Sequence, residues 1–468
     1  MRRFLPAAGP VRPGPETGPL ADPTPEPPSM RHPQPPRPTR LSCPIGRAFV
    51  VAFVLLLSTG PEPLHAQTVA PPPPVSDDLE VWLLTIDRGE EIWEMFGHNA
   101  ILIRDPATLD ELAWNWGLFN FEDVDFIPRF LRGTMRYTMG PIEADHLLES
   151  YAAADRTIYA NRVNLTPEQA RELDAFVRWN FQPENRAYIY DYFRDNCSTR
   201  VRDALDLVLD GAIRSRFGEL DTPRTWRWQA RRMVQTVTWV DQGLSFLLGL
   251  RGDRAITAWE AMFLPVELMN YLESMQVAGP EGTMRPLLGP REVIYQSRGT
   301  PTPAAAPGFS PVWLLLGLAV GALLLAAGAG SGGSERIRRL APTLGGAAWG
   351  IFTGLLGLIL VSAWFTDHVF IHLNMNLVQA NPLGLVLAAF LIRLVLRPEG
   401  WKGTPGRAAV GLAIAVAGLA VLGALLQLVP ALRQGNAEVL AVTLPIHLSL
   451  AASLFAVRST LTSGGRHP

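Results

Sequence analysis

Five apolar stretches fill the C-terminal third of the chain, at roughly 311–330, 344–365, 378–396, 408–429 and 437–457. Each is long enough to cross a hydrocarbon core of about 30 Å at about 1.5 Å per residue, so five membrane helices are predicted. The loop charges orient them. Arg336, Arg338 and Arg339 lie between spans one and two, Arg397, Lys402 and Arg407 between three and four, and Arg458 and Arg466 follow five. The alternate loops, "TDHVFIHLNMN" and "RQGNAE", share a single Arg. The positive-inside rule puts the basic loops in the cytoplasm, and an odd number of spans then places residues 67–310 on the outer side. The glycines of "LGGAAWGIFTGLLGL" read as close helix packing.

The other end of the chain agrees with that orientation. Residues 1–40 are rich in Arg and Pro and have almost no apolar runs, so no core is expected there. Next come Arg47, an apolar run from about Ala48 to Leu57, and a small-residue exit at Ala66, which is the plan of a signal peptide. Residues 1–66 are therefore read as leader and signal, with Met30 an alternative start and an uncleaved anchor the alternative fate. Cys43 precedes the apolar run, which excludes it as the acylated cysteine of a lipoprotein signal. Cleavage near Ala66 leaves one cysteine, Cys197, on the exported side. The net charge of −2 adds nothing, and no basic tract suits a nucleic-acid partner.

Between these ends, residues 78–290 have the pattern of an α+β domain, followed by a Pro-rich linker over 291–310, the membrane domain over 311–457 and a tail over 458–468. "VWLLTID", "HNAILIRD" and "ELAWNWGLF" read as strands. A helix is marked at "LTPEQARELDAFVRWNF", where Thr166 is a candidate N-cap, Pro167 suits the first helical position and Gln169 completes a capping box.

A second helix starts in "YDYFRDNCSTRVRDAL". Val201, Ala204, Leu205, Val208 and Leu209 form one apolar stripe with Cys197 at its head. A thiol there, beside the free N–H groups and the positive end of the dipole, is expected to have a lowered pKa. Helix position does not separate a reactive thiol from a buried structural one. A lone cysteine cannot form an internal disulfide, and His98, opening a strand in "FGHNAILI", is a candidate base on a rigid element. His146 reads as a surface residue. No second cysteine or histidine cluster with zinc spacing accompanies Cys197, so no metal or other cofactor is expected.

"FGHNAILIRD", "NLTPEQ", "NRAYIYDYFRDNCSTRVRDAL" and "MFLPVEL", in that order, resemble the Lnb family of bacterial lipoprotein N-acyltransferases. The resemblance continues more weakly through "TDHVFIHLNMNLVQANPLG". It implies a permuted papain-like thiol-enzyme domain, akin to NlpC-type and lecithin:retinol acyltransferase-like enzymes, with the His strand before the Cys helix. It makes Cys197 the nucleophile and His98 its base. A third polar group should orient the imidazole; Asn115 is the candidate by position, with Asn99 and Asn196 as rivals. Ser198, Tyr190 and His368 are expected to shape the site.

The implied reaction moves an acyl chain from a membrane phospholipid, through a Cys197 thioester, to the α-amine of diacylglyceryl-cysteine on lipoproteins at the inner membrane. Helix-start N–H groups, including that of Cys197, would hold the oxyanion. Two other readings stand beside it: a cell-wall peptidase or amidase of the NlpC kind, and a non-catalytic membrane-tethered interaction module. Two further features carry expectations of their own. "RFGELDTPRTWRWQARRM" is read as either a headgroup-binding segment or a solvated helix with Trp in the core. Asp195 and Arg200 are read as a local ion pair.

Overall fold

The computed structural model describes residues 78–463 apart from 121, 280–281 and 330–333. The leader, the signal peptide, Cys43 and the last residues of the tail lie outside the described residues.

Alternating apolar residues build a seven-stranded antiparallel sheet. Its main strands in chain order are β1 (Glu80–Ile86), β2 (His98–Arg104), β3 (Glu111–Leu118), β4 (Arg136–Glu143), β5 (Ile158–Arg162) and β6 (Ala187–Ile189). Two short ribbons follow, β7 (Asp221–Thr225) with β8 (Ala255–Thr257) and β9 (Gln276–Ala278) with β10 (Met284–Pro286). Strand β11 (Glu292–Tyr295) then returns to the sheet edge, giving the order β11-β5-β1-β2-β3-β4-β6. The domain thus runs past the boundary expected at 290. The Pro-rich linker is also tied down rather than a free hinge: Gln235 donates to the Ala305 carbonyl at 2.7 Å, and Thr302 donates to Asp87.

Among the described residues the α-helices of this domain are α1 (Phe126–Arg132), α2 (Ala144–Ala153), α3 (Pro167–Asn180), α4 (Cys197–Val208), α5 (Ala212–Phe217), α6 (Trp226–Val234), α7 (Thr238–Leu247), α8 (Ala258–Ala261) and α9 (Pro265–Glu273). The Thr166–Gln169 capping box opens α3 with Pro167 in its first turn, as the motif predicts. Leu173 and Val177 of α3, the stripe from Val201 to Val208 of α4, and Leu268 and Leu272 of α9 join one core with Leu83, Ile101, Trp114 and Trp116 of the sheet. Each large apolar side chain buried this way contributes about 1.5–3 kcal/mol. The alternate residues of β2 and β3, among them His98 and Asn115, face the other side of the sheet, where Tyr151 of α2 approaches His98 with ring centroids 6.0 Å apart.

Among the described residues, five helical segments are long and apolar enough to cross a membrane. They are α10 (Pro311–Ala329), α11 (Glu335–Ala363), the pair α12 (Asn376–Gln379) and α13 (Leu383–Leu396), α14 (Thr404–Leu426), and α15 (Ala437–Ser463). Helices α11 and α13 approach so closely that a Cβ on Gly350 would lie 2.6 Å from the Gly384 carbonyl oxygen. The third span breaks over 380–382, where Pro382 follows Asn381. The Gln379 carbonyl there accepts from His447 Nε2 at 2.9 Å, and Trp349 Nε1 donates to His447 Nδ1 at 3.3 Å. A broken helix inside a bundle needs such partners for its backbone.

Candidate functional site

The segment before α4 is a tight loop in which Asp191 and Asp195 bond each other through their backbones. Asn196 then caps α4. Its Oδ1 accepts from the N–H groups of Ser198 and Thr199, both at 2.9 Å. Its Nδ2 donates to the Tyr192 and Phe263 carbonyls, both at 3.0 Å. Ser198 is fully buried and donates to the Met262 carbonyl at 2.7 Å. Asn196 and Ser198 therefore hold the helix start onto the "MFLP" turn, which leaves Cys197 as the first helical residue. Arg200 pairs with Asp195 at 2.5 Å, the local ion pair expected from sequence.

Gly97 sits in the left-handed region with φ 81°, and a Cβ there would lie 2.8 Å from the Ile86 carbonyl oxygen. Only glycine suits that turn, which delivers His98 to the first position of β2. His98 Nε2 meets Asn115 Oδ1 at 3.0 Å. Asn115 Nδ2 donates to the Ala113 carbonyl at 2.9 Å, which fixes the amide with its oxygen toward the histidine. Nε2 is thus the protonated ring nitrogen, and Nδ1 keeps the lone pair. Asn99 and Asn196 are not brought to the imidazole. The Asn99 side chain donates to Thr85 Oγ1 at 2.9 Å and to the Leu84 carbonyl at 3.2 Å.

Cys197 is partly buried, and its Cβ lies 3.5 Å from where a Cβ on Gly117 of β3 would stand. Burial pushes its thiol above the ordinary value, against the pull of the N–H groups of Asn99, Ser198 and Cys197 and of the Arg156 charge. The lowered pKa expected from the helix start is therefore corrected: desolvation outweighs the N–H groups and the dipole. The N–H of Asn99, adjacent to His98, joins the donors around the sulfur, which helix logic alone does not supply. Burial also holds the His98 imidazole down at about 4; the Asn115 hydrogen bond opposes this and Arg156 adds to it. A neutral imidazole keeps a lone pair that can accept a proton.

Arg156 escaped the sequence reading. It is buried, donates twice to the Asp87 carbonyl at 3.1 and 3.0 Å, and lies over the Tyr151 ring at 4.8 Å. It stands in a turn with no periodic signal. Tyr151 was legible, since it continues the Ala144, Leu147, Leu148 stripe of α2. His146 of α2 is exposed.

Tyr190 stacks on Tyr137 at 4.2 Å, and both rings lie within electrostatic reach of Cys197. His368 does not join the thiol. Its Nε2 bonds the Phe130 carbonyl at 2.7 Å and its ring stacks with Tyr192 at 6.5 Å. Two residues on, Phe370 packs against Phe193 at 4.4 Å and Trp226 at 5.5 Å. The outer loop of the membrane domain therefore touches the loop that carries the cysteine. Of the five arginines in the segment around α6, three are not presented to a surface: Arg227, Arg231 and Arg232 are buried against Asp253, Asp241 and Glu267, with Trp226 in the core, whereas Arg216 is exposed.

A search of curated proteins and one of solved structures found no match. A family model described as the Lnb N-terminal periplasmic domain matches residues 75–232, and one described as the Lnb transmembrane domain matches residues 312–402. The two matches lie on the sheet domain and on the first spans of the helical bundle, in the order the family's names describe. With both domains present over more than half of its length, the chain belongs to the Lnb family, as a bacterial membrane protein with a periplasmic portion.

Proposed function

We propose that this protein is a thiol acyltransferase of the inner membrane, with a permuted papain-like catalytic domain on the periplasmic side. The observation that carries this reading is the His98–Asn115 pair at the start of a strand whose next N–H points at the Cys197 sulfur. Cys197 Sγ attacks an ester carbonyl carbon of a phospholipid while its proton passes to His98 Nδ1. The N–H groups of Asn99, Cys197 and Ser198, which surround the sulfur, are the donors this mechanism assigns to the oxyanion, and one such donor contributes about 3 kcal/mol. Collapse forms the Cys197 thioester and expels a lysophospholipid, which takes the proton from His98. The α-amine of a diacylglyceryl-cysteine then attacks the thioester and gives a proton to His98. The amide forms, and the thiol leaves with that proton. The contact of Phe370, from the loop between the second and third spans, with Phe193 supports a site close to the membrane, where both proposed substrates would have their acyl chains.

The test is to incubate the purified protein with phospholipid carrying a labelled acyl chain, then add a diacylated lipopeptide. Label should appear on the protein and move to the peptide. Cys197→Ala should abolish both labels, and His98→Ala should slow acylation roughly 10²–10⁴-fold. Normal transfer by Cys197→Ala would overturn the mechanism. Muropeptide cleavage without lipid labelling would identify a cell-wall hydrolase instead.

A further inference from the structure

Helix α1 buries none of its residues. Within it Ile127, Phe130 and Leu131 recur at i, i+3 and i+4 and are 61%, 44% and 63% exposed, and Val124 is fully exposed just ahead of the helix. A sustained apolar face in water marks an interaction surface.

One end of this helix is tied to the membrane domain. Gly133, with φ 78°, ends α1, and a Cβ there would lie 2.9 Å from the His368 backbone nitrogen. The Asp367 N–H donates to the Arg132 carbonyl at 2.8 Å, and His368 Nε2 bonds the Phe130 carbonyl. Asp367 follows closely on Ala363, the last residue of the second span, and Trp364 and Phe365 between them are 55% and 85% exposed. Helix α1 is thus fastened to the outer end of a membrane helix, beside aromatic residues of the type that sit at headgroup level. Arg132 is exposed at the same end. An apolar face with a basic rim lies in the plane of a bilayer interface.

A run of rings leads inward from α1. Phe126 meets Phe119 at 6.1 Å, Phe119 stacks on Tyr137 at 4.9 Å, and Tyr137 stacks on Tyr190 beside Cys197. We propose that α1 lays its Ile127–Phe130–Leu131 face into the outer leaflet, and that this ring run guides a phospholipid acyl chain from the leaflet to the thiol. The insertion stands on geometry alone; the guiding role rests on the acyltransferase reading.

Two experiments separate the parts. In a chain carrying Cys43→Ser and Cys197→Ser, a single cysteine is introduced by Leu131→Cys, or by Leu109→Cys in the hairpin at the far end of β2 and β3. Each is labelled with an environment-sensitive fluorophore and reconstituted in phosphatidylethanolamine–phosphatidylglycerol vesicles. Label at 131 should be quenched by doxyl-labelled lipid at least threefold more than label at 109, and less by aqueous iodide. Equal behaviour at the two positions overturns insertion.

In the active chain, Ile127→Asn with Leu131→Asn should raise KM for vesicle phospholipid about tenfold with kcat within about twofold, and the apolar variant Ile127→Leu with Leu131→Ile should keep the original KM. An unchanged KM overturns the guiding role. No acylation by the unaltered chain overturns both the guiding role and the acyltransferase reading, and the fluorescence result decides insertion by itself.

Discussion

Asn115 Oδ1 accepts the one proton on the His98 ring, which leaves Nδ1 as the only basic atom of the pair. Because burial penalises imidazolium, the base form persists as the pH falls until about 4, and only below that is the proton acceptor lost. The thiol is shifted the other way, so it stays protonated at neutral pH. Under the proposed mechanism, acylation of Cys197 should be flat from about pH 5 to pH 8 and fall below about pH 4, as initial rates in buffered vesicles will check. Iodoacetamide alkylation of Cys197 should keep climbing through about pH 9. A plateau below pH 7 would instead mean a preformed thiolate–imidazolium pair. Asn115→Ala should lower kcat roughly 10–100-fold with little change in KM, since it frees the ring to turn without removing the base.

The elements that position these residues differ in how plainly they are written. Helix α4 is legible from its apolar stripe, and β2 and β3 from alternation, so the places of Cys197, His98 and Asn115 in their elements could be read in advance. The cap was not. Asn196 could have been a site amide or a turn amide, and only its four hydrogen bonds show it tying α4 to the Met262–Phe263 turn. Asn196→Ala should cost about 1–2 kcal/mol in chemical denaturation, the usual loss for a helix cap. Asn196→Asp keeps the accepting oxygen but loses the donations to Tyr192 and Phe263. It should therefore retain more of the helix stability than it retains of the acylation rate.

The sheet domain and the bundle share interactions that run the length of the outer loops. Asn374 and Asn376 donate to the last carbonyls of α7, at Phe246 and Leu247, which no helical partner could satisfy. Arg231 bridges Asp241 at 2.7 Å and Glu438 at 3.1 Å, joining α6 of the sheet domain to the fifth span. All three side chains are buried, so Arg231→Met leaves two facing carboxylates without their cation. That loss should cost about 3–5 kcal/mol, seen as a thermal midpoint lower by several degrees in detergent. Adding Glu438→Gln should recover part of it; no recovery would mean that the pair does not couple the two domains.

Composition and periodicity alone determined the five spans, their orientation, the α+β domain and the helix start at Cys197, because apolar runs, loop charges and caps are local signals. The resemblance in "DNCSTRVRD" and "FGHN" supplied the reaction to propose. Tertiary structure alone decided that Asn115 rather than Asn99 or Asn196 meets His98, since that depends on strand register and on which backbone groups each amide satisfies. It also decided that burial outweighs the helix dipole at the thiol, because desolvation is set by everything packed around a group. The fastening of α1 to the second span, at residues more than 200 positions apart in sequence, is a matter of contact rather than pattern.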